Sequence, residues 1–74
     1  MVSNLPVLLT VKEVAKIIHT NTSYVYDLIK SQKLAAIKLG SYKIRKEALE
    51  QFLIDNEGND LTNPYNIIRL NDVS

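Results

Sequence analysis

Apolar and polar positions follow two periods along this chain, and the changes of period divide it into elements. The first periodic stretch follows an apolar lead-in over residues 5–9, which Pro6 interrupts. Val11, Val14, Ala15 and Ile18 recur at i, i+3, i+4 and i+7, the spacing of one buried helix face. Thr10 and Glu13 stand as a capping box at its start, and Leu9 and Val14 occupy the two positions of a hydrophobic staple around it. The cues agree on a helix over residues 11–18. His19-Thr20-Asn21 breaks the pattern. His19 reads as a turn residue, of a type that tolerates positive φ, and Asn21 as the N-cap of a second helix. There Val25, Leu28 and Ile29 form the inward stripe, leaving Thr22, Ser23, Tyr26, Asp27 and Lys30 toward the other side. Two short helices across a three-residue turn predict a helix-turn-helix.

After Leu34 the period falls to two. In "AIKLGSYKI" the apolar places are Ile37 and Leu39, then Tyr42 and Ile44. Gly40-Ser41 between them suits the two-residue type II′ turn of a hairpin, with Lys38 and Lys43 near the turn, one on each strand. From Lys46 the helical period returns, with Ala48, Leu49, Phe52 and Leu53 on one face and Gly58 as the stop. Residues 58–74 open on the turn-rich "GNDLTNP" and contain "YNIIRL", a candidate short strand. Pairing with the hairpin edge, packing on the core, ordering on a partner and a mobile tail all stay open for it. The expected fold is mostly α with a small β-hairpin: a winged helix-turn-helix over residues 1–57, with residues 58–74 as a tail, strand-forming or disordered.

Charge sharpens this division. The net charge is only +1, but residues 1–54 carry eight Lys/Arg against four acids, and residues 55–74 one against four. Six bases and no acid fall within residues 30–46, so a basic segment is followed by an acidic tail. Seventy-four residues make one small domain. The absence of cysteine removes disulfides, thiolate zinc sites and thiol nucleophiles, and fits a reducing cytoplasm. Apolar runs are too short to span a bilayer, and the N-terminus lacks the pattern of a signal peptide. His19, the only histidine, supports neither a metal site nor a triad, and there is no phosphate-binding glycine loop. The expectation is a non-catalytic protein without cofactor.

What remains is binding chemistry. Reading DNA requires short polar side chains at base edges, with cations on the phosphates beside them. Thr22, Ser23 and Tyr24 open the second helix and are candidates for bases or phosphate, against the plainer reading of N-terminal capping. Tyr26 can give its hydroxyl to a phosphate while its ring packs under the wing. Asp27 can accept from a cytosine amino group, pair with Lys30 or face solvent, the last two being favoured. Lys30, Lys33, Lys38, Lys43, Arg45 and Lys46 are candidate phosphate ligands, with Lys38 and Lys43 the best wing contacts and Ser41 beside them at the turn. Arg45 can instead pack near the third helix, where Glu47 suits the helix N-terminus. The plain alternative is a solvated basic face.

Over residues 8–53 the sequence resembles the excisionase-type helix-turn-helix DNA-binding domain, related to MerR-like winged helices. The resemblance rests on "LLTVKEVAKII", "SYVYDLI", "KLAAIKLG" and "YKIRKEALEQFL". It falls on Leu9-Thr10, Val25-Tyr26, Leu34-Ala35-Ala36, Gly40, Tyr42-Lys43-Ile44 and Phe52. The departures are His19 in place of a turn glycine, Ala35 and Arg45 in place of prolines, a shorter wing turn, and Asp27 where relatives often carry Arg or Lys. The resemblance implies binding to double-stranded DNA without catalysis, which agrees with the cytoplasmic expectation. It implies a recombination directionality factor of a mobile element, with the second helix in the major groove and the basic wing on the backbone. An integrase partner and self-association on DNA are implied too; the tail's apolar content, Ile67, Ile68 and Leu70, makes it a candidate contact for a neighbouring copy or the integrase. A small transcriptional regulator, or a protein-interaction module on the same scaffold, is the alternative.

Overall fold

A computed structural model describes residues 5–70. The element order is β1 (Leu8–Thr10), α1 (Val11–Ile17), α2 (Thr22–Lys30), β2 (Ile37–Leu39), β3 (Ser41–Arg45), α3 (Lys46–Asp55), β4 (Asn59–Asp60) and β5 (Ile68–Arg69). Three helices and a small antiparallel sheet form a winged helix-turn-helix, as the periodicity predicts.

Local chemistry sets the helix starts. The Glu13 amide donates to Thr10 Oγ1 at 3.1 Å, and the Thr10 amide donates to Glu13 Oε1 at 2.8 Å, closing the capping box of α1. The Asn21 side chain accepts from the Tyr24 amide at 2.9 Å and caps α2. Between the two helices His19 takes φ 60°, the left-handed conformation that lets the chain reverse. Gln32 does the same at φ 63° after α2.

Val11, Val14 and Ala15 of α1, Val25 and Leu28 of α2, Leu34, Ile44 of β3, and Leu49 and Phe52 of α3 make one buried cluster. Leu9, Ile18, Ile29 and Ala48 pack against it. Leu53, expected on the inward face of α3, is largely exposed because the cluster is closed by Leu49 and Phe52.

The sheet order is β1-β3-β2. The lead-in is thus partly a strand: Leu8, Leu9 and Thr10 pair with Arg45, Ile44 and Lys43. The hairpin turn differs from the expected two-residue type. Leu39 pairs with Ser41, so Gly40 alone stands at the apex, at φ 78°. The shift has consequences, because moving a strand by one residue exchanges its faces. Leu34 and Ala36 take the inward places, so the period of two brings Lys38 to the side of Tyr42, its cross-strand partner. Ile37 and Leu39 turn outward and are 42% and 59% exposed.

Beyond α3, Asn56 caps the helix and Gly58 turns the chain at φ 87°. β4 then pairs antiparallel with β5, rather than β5 pairing with the hairpin edge. Leu61 packs against the main cluster and Pro64 is buried, so this segment lies on the domain.

Candidate functional site

Helix α2 turns a row of polar side chains away from the core. At about 100° of rotation per residue, Ser23 and Lys30 form a central ridge opposite the buried Val25 and Leu28. Thr22 and Tyr26 lie on one flank, Tyr24 and Asp27 on the other. Thr22, Ser23, Tyr26 and Lys30 are exposed, whereas Tyr24 and Asp27 are half-buried.

The Tyr26 flank faces the wing. Its ring meets Tyr42 edge-on, with centroids 6.1 Å apart and planes at 64°. Lys38 Nζ lies 5.1 Å from the centre of the Tyr42 ring, a cation–π contact. A relay of two rings therefore joins α2 to the ammonium of β2. An open cleft of ≈ 220 Å³ runs beside it, lined by Thr10, Lys12, Thr22, Tyr26, Ser41 and Tyr42 among others. Its hydroxyls come from three elements and its cation from Lys12. Neither Lys12 nor Tyr42 stands out as a site residue in the sequence, although Tyr42's place two residues before the inward Ile44 already turns it to the core side of the sheet.

The other cations divide. The register puts Lys43 opposite Ile37 and Thr10, on the face of the sheet away from Tyr42, and its Nζ donates to Ser41 Oγ at 2.5 Å. Arg45 is the N-cap residue of α3 and lies 3.8 Å from Glu47; Lys46 lies 3.9 Å from Glu50. Lys12, Lys30, Lys33 and Lys38 form no ion pair among the described residues. The six bases of residues 30–46 are therefore not one continuous face.

The Tyr24 flank meets the C-terminal segment. The Tyr24 hydroxyl donates to the Leu61 carbonyl, and the Tyr65 hydroxyl donates to Asp27 Oδ1 at 3.3 Å. The expected Asp27–Lys30 pair is not formed, and Asp27 does not simply face solvent. A phenol from the tail occupies the carboxylate instead. Burial, followed by the negative charge of Asp60, raises the Tyr24 pKa above its ordinary value. Desolvation, followed by the Asp27 carboxylate, raises that of Tyr65. The Thr62 hydroxyl at 2.6 Å and the Thr62 amide at 2.9 Å hold the Asp60 carboxyl below its ordinary value. Nothing local in the sequence marks Tyr65, since its partner lies 38 residues away.

Among the described residues no group of three or more His, Cys, Asp or Glu is placed to hold a metal, and no helix is long and apolar enough to cross a membrane. The arrangement suits binding to an extended polar ligand along α2 and the wing.

Residues 8–56 match the family described as a helix-turn-helix domain. The chain is also 41% identical over 54 residues to an excisionase of Streptomyces ambofaciens, an alignment that covers 72% of this chain and 87% of that protein. No solved structure matches the chain significantly.

Proposed function

The chain belongs to the excisionase-type helix-turn-helix family, and from that premise we propose how it works on its ligand. It is an excisionase-like protein that binds DNA, and in this reading it has no catalytic role. Helix α2 enters the major groove and the wing lies on the backbone beside it. Ser23 and Lys30 on the ridge, with Thr22, meet base edges and nearby phosphate. Tyr26 gives its hydroxyl to a phosphate at the wing side, where Lys38, Ser41 and Lys12 supply further donors, and Lys43 meets the backbone from the other face of the wing. Arg45, facing Glu47, contributes to the local field rather than to a direct contact. Tyr24 and Asp27 are left to the C-terminal segment.

The observation that carries this reading is the ring relay. Tyr26 on the reading helix and Lys38 on the wing are joined through Tyr42, so one rigid unit offers polar groups and a cation side by side. Residues 1–57 are the DNA-binding unit in this reading and residues 58–74 an appended segment. Working in the cytoplasm as several copies on DNA beside an integrase, as a directionality factor, is preferred to regulating transcription.

Fluorescence anisotropy of the protein on duplex DNA at several salt concentrations tests it. Affinity should fall steeply with salt, and Lys38→Ala/Lys43→Ala should flatten the slope of log K against log salt by roughly 0.9 for each phosphate that is no longer neutralised. An unchanged slope would take the wing off the backbone, and no binding at low salt would refute the DNA reading altogether.

A further inference from the structure

The C-terminal segment sits where a groove wall has to pass. B-DNA's major groove is about 12 Å wide, and an α-helix with its side chains is about 10–12 Å across. A helix in the groove fills it, with no room for a second layer of chain on its flank. Yet one flank of α2 carries such a layer. The Leu61 carbonyl receives the Tyr24 hydroxyl, Tyr65 reaches Asp27, and Pro64 between them in sequence is buried. The layer is also of the wrong sign for a phosphate backbone, with Asp60 in it and Asp55 and Glu57 just before it.

The attachment rests on few contacts. β4 and β5 are two residues each, closed by the Leu70 amide donating to the Gly58 carbonyl at 2.7 Å. Within it Leu61 packs on the core and Pro64 is buried, while Tyr65 is 60% exposed and Ile68 and Leu70 beyond it are about half exposed. Segments with little buried apolar surface open at the low end of a protein's stability range.

We propose that residues 59–65 form a strap over one flank of α2 that leaves when the helix enters DNA, and that Asp27 is its latch rather than a reader of bases. The inference rests on the DNA-binding reading above. Asp27 holds the strap through a phenol and so needs no cationic partner on its own helix. The strap lowers apparent affinity by the fraction of molecules in which it is closed.

Tyr65→Phe in the full chain is the decisive variant, because it removes the latch hydroxyl without changing charge and lies at an exposed position. Its affinity for a mixed-sequence duplex, read by anisotropy, should rise about threefold or more over the parent chain. Hydrogen exchange of the peptide over residues 58–70 should quicken when DNA is added to the parent chain, while α2 slows. If the parent binds DNA but Tyr65→Phe binds no more tightly, or if DNA slows exchange in the strap, the strap is overturned and the DNA reading stands. If neither chain binds DNA, both fall. If only Tyr65→Phe binds, both are supported in their strongest form.

Discussion

Two tyrosines and one histidine carry the most informative single-residue facts. Tyr24 and Tyr65 both have pKa values raised above the ordinary 10.0. A raised value means the folded state holds its proton longer than the unfolded chain does. Their contribution to holding the tail is therefore complete below the unfolded value and is lost as pH rises through the higher folded values. Ultraviolet titration should show late-ionising tyrosine, and Tyr24→Phe and Tyr65→Phe should each remove part of that late component. A titration curve unaltered by either substitution would contradict both shifts. His19 at φ 60° stands in the left-handed region that disfavours side chains. His19→Gly should raise stability by up to about 1 kcal/mol in urea unfolding, net of glycine's greater chain entropy, and His19→Val should lower it by more. At this scale legibility depends on the range of the contact. Thr10, Glu13 and Asn21 act on amides within three residues, and their roles can be read from the sequence. Asp27's charge can be read too, but its partner in residue 65 is set by how the tail crosses the domain.

Elements were legible where a period and a terminus signal coincided. The helices α1 and α2 have both, and their starts follow. The strand β1 has neither, because three residues become a strand only through pairing with β3, more than thirty positions on. The hairpin shows how little separates two registers. Turning at Gly40-Ser41 would align Leu39 with Tyr42, whereas turning at Gly40 alone aligns Lys38 with Tyr42. The second fits better because Leu34 and Ala36 already claim the inward side. Substitution can check this register. Ile44→Ala, at a fully buried position, should destabilise by about 2–5 kcal/mol. Ile37→Thr, on the outward face, should stay within about 0.5 kcal/mol. Equal losses in chemical denaturation would restore the two-residue turn. The β4–β5 pair is the least readable element, since two-residue strands have no period.

For the whole molecule, the uneven charge of the sequence becomes a sidedness around α2. Lys38 reaches α2 through aromatic rings on one flank, and Asp60 and its neighbours lie by way of the tail on the other. The sequence shows both charge blocks but not their placement on opposite flanks of one helix. Thr10 adds a final consequence. It is the last residue of β1, the cross-strand partner of Lys43 and the N-cap of α1, while the Lys46 amide donates to the Val7 carbonyl at 3.0 Å just beyond. The wing's inner strand is thus hydrogen-bonded along both edges and riveted to the first helix at one residue. Such an appendage behaves as a rigid outrigger, not a flexible arm. On meeting a ligand it has little motional freedom to surrender, so association loses less entropy there than it would with a wing free to swing.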